Sequence, residues 1–113
     1  MSLKAGTCNY RSGWELKFLE YLDADPNVVT FQYESLKIEY VSNLRTKKIR
    51  RYIPDFFVKY ADGRQEVIEI KQLRRVNHPT VIKKAIAAQA WCSVNDATYV
   101  IMTEVDLKSL GLL

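Results

Sequence analysis

Apolar and polar positions along this chain recur with two periods, and the changes of period mark the predicted elements. Between Arg11 and Ala24, Trp14, Phe18, Tyr21 and Leu22 recur at the spacing that puts side chains on one face of an α-helix. Ser12 stands where an N-cap belongs, with Glu15 three residues on as in a capping box, and Asp25-Pro26-Asn27 ends the helix. Val28–Tyr33 and Leu36–Val41 read as strands, Ser42-Asn43 closing the second. A polar, basic loop follows to about Lys48. Ile49–Tyr60 predicts one long strand interrupted by Pro54, and Gln65–Gln72 predicts its partner across the turn Ala61-Asp62-Gly63. His78-Pro79 fits a helix start with Pro79 at the first helical position. Thr80–Ser93 is the helix, carrying Val81, Ile82, Ala85, Ile86 and Ala90. Thr98–Met102 is the final strand, and Thr103 can cap a short closing helix.

Helix, three or four strands, helix, strand, helix is the order of an α/β sandwich around a central mixed sheet flanked by helices. With 113 residues, one domain is expected over 1–113, its core at about 10–107. In the hairpin, Phe56, Val58, Tyr60, Ile68 and Ile70 fall on one pleat face, and Ile53, Phe57 and Val67 on the other. Apolar residues on both faces imply a sheet covered on both sides.

Charge adds a partner to this picture. The net charge is +4 and the pI near 9.1, a modest excess, but its placement is uneven. Arg45, Lys47, Lys48, Arg50 and Arg51 form one cluster, and Lys71, Arg74, Arg75, Lys83 and Lys84 a second. Clustered cations suit a polyanion such as a phosphate backbone, although a solvated mixed-charge surface has the same composition. Cys8 and Cys92 lie far apart and outside metal-ligand spacing, so two reduced thiols are expected. No apolar run approaches the ~20 residues needed to span a bilayer. Met1–Thr7 has neither a secretory h-region nor an arginine-rich transit pattern. A cytoplasmic protein without membrane contact is the expectation.

The stretch with chemical content is Pro54-Asp55 followed by Glu69-Ile70-Lys71. Glu69 and Lys71, two apart on a strand, project to the same face. Whether Asp55 shares that face depends on the hairpin register. A two-residue Asp62-Gly63 turn would pair Phe56 with Glu69 and send Asp55 to the wrong side. A three-residue loop with Gly63 left-handed would pair Asp55 with Glu69, and a bulge near Pro54 would also bring them together. Two carboxylates held together need neutralising, and oxygen donors favour Mg²⁺ or Mn²⁺. Such an ion can acidify a water and stabilise phosphoryl charge, with Lys71 orienting the water or neutralising developing charge. A bare D…ExK pattern also arises by chance as three surface charges on an edge strand. Glu15 sits at the rim of the first helix's apolar face, where capping and reaching the site compete.

On Tyr10-Arg11-Ser12-Gly13-Trp14-Glu15, Tyr52-Ile53-Pro54-Asp55-Phe56 and Ile68-Glu69-Ile70-Lys71, the chain resembles the PD-(D/E)XK nuclease superfamily. Within it the likeness is to TnsA-like transposase endonucleases and to phage head-completion and junction-resolving endonucleases. The resemblance implies a restriction-endonuclease-like αβββαβ core and a Mg²⁺- or Mn²⁺-dependent DNA endonuclease leaving 5′-phosphate and 3′-hydroxyl ends. Asp55 and Glu69 would ligate the metal with the carbonyl of Ile70, Glu15 would contact it directly or through water, and Lys71 would serve the nucleophilic water. These four side chains are the expected catalytic set.

DNA contacts are expected from Arg11, Lys47, Lys48, Arg50, Arg51, Arg74, Arg75, Lys83 and Lys84, chiefly to the backbone. Gln72 suits either a DNA contact or a polar strand end. His78 reads as a helix-cap residue rather than a base, and Trp14 and Trp91 as core. A single centre cuts one strand, so a double-strand break would need a homodimer or a second nuclease or transposase subunit. The competing class is a non-catalytic DNA-binding or assembly subunit that keeps the fold. RNA as the substrate is also compatible with the sequence.

Overall fold

The structure, a computed structural model, describes residues 13–113. The expected cap at Ser12, the DNA contact at Arg11 and the thiol of Cys8 lie outside the described residues. In chain order the elements are α1 (Gly13–Ala24), β1 (Val28–Tyr33), β2 (Ile38–Asn43), β3 (Lys48–Tyr52), β4 (Phe56–Tyr60), β5 (Gln65–Ile70), a 3₁₀ turn (Leu73–Arg75), α2 (Pro79–Val94), β6 (Thr98–Met102) and α3 (Glu104–Ser109). The result is a mixed α/β fold with a central sheet flanked by helices, as the sequence pattern and the resemblance both imply.

The helix starts follow their local chemistry. Thr103 caps α3 in a full capping box: Val105 N–H donates to its hydroxyl, and its own N–H donates to Asp106 Oδ2 at 2.8 Å. His78 is the N-cap of α2, Nδ1 accepting from Thr80 N–H at 3.2 Å, with Pro79 in the first turn where no N–H is missed. That side chain has a structural task at the helix start.

The main sheet has the order β1-β4-β5-β6. β1, β4 and β5 pair antiparallel, and β6 returns through α2 to lie parallel to β5. Phe18, Leu19 and Leu22 of α1 and Leu107 of α3 cover one face, against Phe31, Phe56, Val58, Ile68 and Ile70. On the other face α2 packs Trp91 edge-on to Phe57, ring centroids 5.7 Å apart. Each such buried side chain contributes roughly 1.5–3 kcal/mol of transfer free energy, so α1 is held by its apolar stripe. Ile82 and Ile86 of α2 are exposed; Val81, Ala88 and Cys92 form its buried side instead.

The structure corrects two expectations about the strands. Ile49–Tyr60 is not one interrupted strand in one sheet. Its first half is β3, which pairs with β2 as a separate two-stranded ribbon, and its second half is β4, at the centre of the main sheet. Ile53-Pro54-Asp55 is the crossing point, where buried Pro54 has no N–H to give to a ladder. β2 also begins later and runs further than expected, to Asn43.

The hairpin register is the one with a three-residue loop. Tyr60 N–H donates to Arg64 O at 2.9 Å, and Gly63 N–H to Tyr60 O at 3.0 Å. Gly63 has φ 91°, a left-handed conformation that glycine adopts without a Cβ penalty. From that loop the ladder runs Lys59↔Gln65, Val58↔Glu66, Phe57↔Val67 and Phe56↔Ile68. One further step sets Asp55 opposite Glu69.

Candidate active site

Helix α1, strand β5 and the β3–β4 crossing deliver the candidate side chains to one end of the sheet. Asp55 lies just before β4, Glu69 in β5, Lys71 just after it, and Glu15 on α1. Asp55 is 1% exposed and its Oδ2 accepts the Ile70 N–H at 2.7 Å. Ile70 ends β5, past the last pair of the β4–β5 ladder, and gives its N–H to the Asp55 side chain instead of to a strand partner on that side. Lys71 Nζ stands 3.4 Å from Glu69 Oε2.

Glu15 departs from its expected place. It is not on the rim of α1 but in line with Phe18, Leu19 and Leu22, at i, i+3, i+4 and i+7, and only 6% exposed. A carboxylate in a buried stripe needs partners. Tyr33 of β1 donates its hydroxyl to Glu15 Oε2 at 2.6 Å, and the Glu15 and Asp55 carboxyl groups are hydrogen-bonded to each other. Helix α1 therefore contributes a third acid to the centre.

The charge balance here is tense. Burial, then the neighbouring Glu69, push the Asp55 acid up to about 8; the Glu15 charge and its hydrogen bond act the same way, and the Ile70 N–H only partly opposes them. Among the described residues, no three His, Cys, Asp or Glu side chains form a ready cation cage. The donor set that does fit a hard divalent ion is two carboxylates, Asp55 and Glu69, with the Ile70 carbonyl. A buried acid holding its proton at neutral pH is what a cluster short of positive charge looks like, and a divalent cation is a suitable replacement for that proton.

Two tyrosines that sequence reasoning passed over complete the surroundings. Tyr52, at the end of β3 and 3% exposed, donates its hydroxyl to Glu69 Oε1 at 2.8 Å. The Tyr99 hydroxyl of β6 lies 2.8 Å from the Tyr52 hydroxyl. Burial and then Glu69 push the Tyr52 phenol far above its ordinary range, so it stays a donor. Tyr52 stands inside the Tyr-Ile-Pro-Asp-Phe string, but nothing in the string shows what its hydroxyl meets.

The cations separate into two surfaces. Lys48, Arg50 and Arg51 of β3 and Lys83 and Lys84 of α2 line one groove of about 680 Å³, with Tyr40 and Ser42 of β2. The two clusters read in sequence thus meet partly in space. Lys83 Nζ donates to Ser42 O at 2.9 Å, tying α2 to the ribbon, and Lys84 Nζ lies 5.5 Å from the Tyr52 ring centroid. A second depression, about 420 Å³, is lined by Ile70, Lys71, Gln72 and Arg75 with Gly13 and Trp14. Gln72 Oε1 accepts from Arg74 Nε at 3.1 Å beside it. Lys47 lies in the β2–β3 turn with φ 60° and does not line the groove.

The fold is that of a mixed α/β nuclease domain by its kinship, for the chain belongs to the TnsA-like endonuclease family: the model of that family's N-terminal domain matches residues 25–104. Asp55, Glu69 and Lys71 fall inside the match, and Glu15 before it. The chain is also 32% identical to the head completion nuclease of Enterobacteria phage T4, over 124 aligned positions that span 90% of this chain and 82% of that protein. Among the described residues, no helix is long and apolar enough to cross a membrane.

Proposed function

We propose that this chain is a divalent-metal-dependent DNA endonuclease that hydrolyses a phosphodiester bond to 5′-phosphate and 3′-hydroxyl ends. The observation that carries the reading is the buried meeting of Asp55, Glu69 and Glu15, with Lys71 at its edge, in a chain of an endonuclease family. Asp55, Glu69 and the Ile70 carbonyl would hold Mg²⁺ or Mn²⁺, with Glu15 touching it directly or through water. Bound there, the ion would lower the pKa of a water and draw charge from the phosphoryl oxygens.

The chain's own residues do the rest. Lys71, a compact point charge, neutralises charge developing on the scissile phosphate and orients the attacking water. Glu15 and Asp55 share a hydrogen bond, so a proton displaced from Asp55 has an adjacent acceptor. Tyr33 and Tyr52 each hold one oxygen of Glu15 and Glu69, which leaves the other oxygens to face the site. Lys48, Arg50, Arg51, Lys83 and Lys84 in the groove would track the phosphate backbone, and Lys47 of the β2–β3 turn and Arg11, which lies outside the described residues, would add to them. Gln72, Arg74 and Arg75 would do so next to the cut. One centre cuts one strand, and a double-strand break would take a homodimer or a second subunit.

The experiment is incubation of purified protein with supercoiled plasmid and a branched junction, in Mg²⁺, in Mn²⁺ and in EDTA. Cleavage of either DNA with metal and none in EDTA is the expected result. Well-folded protein that binds DNA equally in EDTA and in metal, yet cuts neither substrate, would overturn the enzyme reading and favour an assembly role.

A further inference from the structure

The ribbon β2–β3 is not hydrogen-bonded into the main sheet, yet it sends one side chain into the acid cluster. That side chain is Tyr52, and its setting is built. It pairs with Ile38 across the ribbon, packs with Ile38 and Ala88, and meets the Tyr99 ring edge-on at 6.4 Å. Each phenol has one hydrogen to give. Tyr52 gives its hydrogen to Glu69 Oε1, so the hydrogen between the two phenols comes from Tyr99. The three groups form a one-way relay, Tyr99 to Tyr52 to Glu69.

The consequence falls on Glu69. With Oε1 held by a phenol that cannot move without disturbing α2, the carboxylate has one orientation, and Oε2 is the oxygen that faces Lys71 at 3.4 Å. We infer that Tyr52, backed by Tyr99, is a positioning residue that fixes which oxygen of Glu69 is presented to the metal and to Lys71. The inference rests on the metal-dependent reading above and deepens it. Tyr52 touches neither substrate nor metal in this assignment; it acts through Glu69, as hydrogen-bond partners behind metal ligands commonly do. The Lys84 ammonium over the Tyr52 ring makes the same residue the link between the basic groove and the acid cluster.

The variant that separates orientation from packing is Tyr52→Phe, which keeps the ring against Ile38, Ala88 and Lys84 and removes only the hydroxyl. Three measurements are made on it beside wild type and Tyr99→Phe: the Mn²⁺ dissociation constant by calorimetry without DNA, the kcat and KM for DNA cleavage, and the melting temperature in EDTA. Tyr52→Phe is expected to weaken Mn²⁺ binding and lower kcat, each by about 10- to 100-fold, with KM for DNA unchanged. Tyr99→Phe should shift both in the same direction by less. Wild-type Mn²⁺ affinity and kcat in Tyr52→Phe would overturn the inference while leaving the metal-dependent reading intact. Loss of thermal stability without a change in Mn²⁺ affinity would also overturn it, as a purely structural role. Wild-type protein that neither binds Mn²⁺ nor cleaves would overturn both.

Discussion

Burial of Asp55, with Glu69 and then Glu15 beside it, lifts its acid from 3.8 to about 8, and the shift has a definite consequence for stability. A carboxyl whose folded pKa is raised binds its proton more tightly in the fold than in the unfolded chain. Its contribution is therefore whole below pH 3.8 and is lost as pH rises through 8. Metal-free protein should melt at progressively lower temperature over that window. Asp55→Asn keeps an acceptor for the Ile70 N–H and removes the charge. In EDTA above pH 8 this variant should melt at least about 4 °C higher than wild type, the change roughly 1 kcal/mol produces in a domain of this size. The gap should close as pH falls toward 5, and Mn²⁺ should raise the melting temperature of wild type but not of the variant. Thermal melts across pH in EDTA check it, and a variant less stable than wild type at every pH would count against the cluster.

Among the elements, the β4–β5 hairpin decides whether there is a site at all. Strand alternation put Glu69 and Lys71 on one face from the sequence alone, and Gly63 made the three-residue loop readable as one of two turns. The observed ladder and the left-handed Gly63 select that loop. Open space surrounds a Cβ at Gly63, so Gly63→Ala should cost only the conformational term, about 1 kcal/mol by urea denaturation, with cleavage retained. A stability unchanged from wild type would show that the loop does not need its positive φ. Other parts of the site were not legible, for physical reasons. Tyr52 reaches Glu69 across 17 positions and between two sheets, a contact no local period encodes. Glu15 reads as a capping residue because Ser12 stands three positions before it, and as a rim residue because it follows Trp14 of the apolar face, whereas its burial depends on how α1 seats on the sheet. Pro54 marked an interruption, but the switch from ribbon to main sheet follows from β3 pairing back to β2.

At the scale of the whole molecule, folding brings cations from two distant segments into one groove, joined to the acids through Tyr52, which lies under Lys84 and hydrogen-bonds to Glu69. A backbone-tracking surface makes affinity depend on salt, because each neutralised phosphate releases counterions. Replacing Lys48 and Arg50 together by alanine should lower the log–log slope of DNA affinity against salt by about 2, at roughly 0.9 per contact. The loss should be similar for unrelated DNA sequences. Fluorescence anisotropy in EDTA at several salt concentrations reads it, and an unchanged slope would remove the groove from the DNA path. The assignment of the active centre is tested most directly at Lys71, whose ammonium lies 3.4 Å from Glu69 Oε2 at the edge of the acid cluster. The deciding measurement is the single-turnover rate of plasmid cleavage in Mg²⁺ by wild type and by Lys71→Ala, on matched preparations that bind DNA equally well in EDTA. A rate at least about 100-fold lower in Lys71→Ala, in the range expected when a transition-state charge partner is removed, is the predicted result. Equal rates in the two proteins would contradict the assignment of the active centre to Asp55, Glu69 and Lys71.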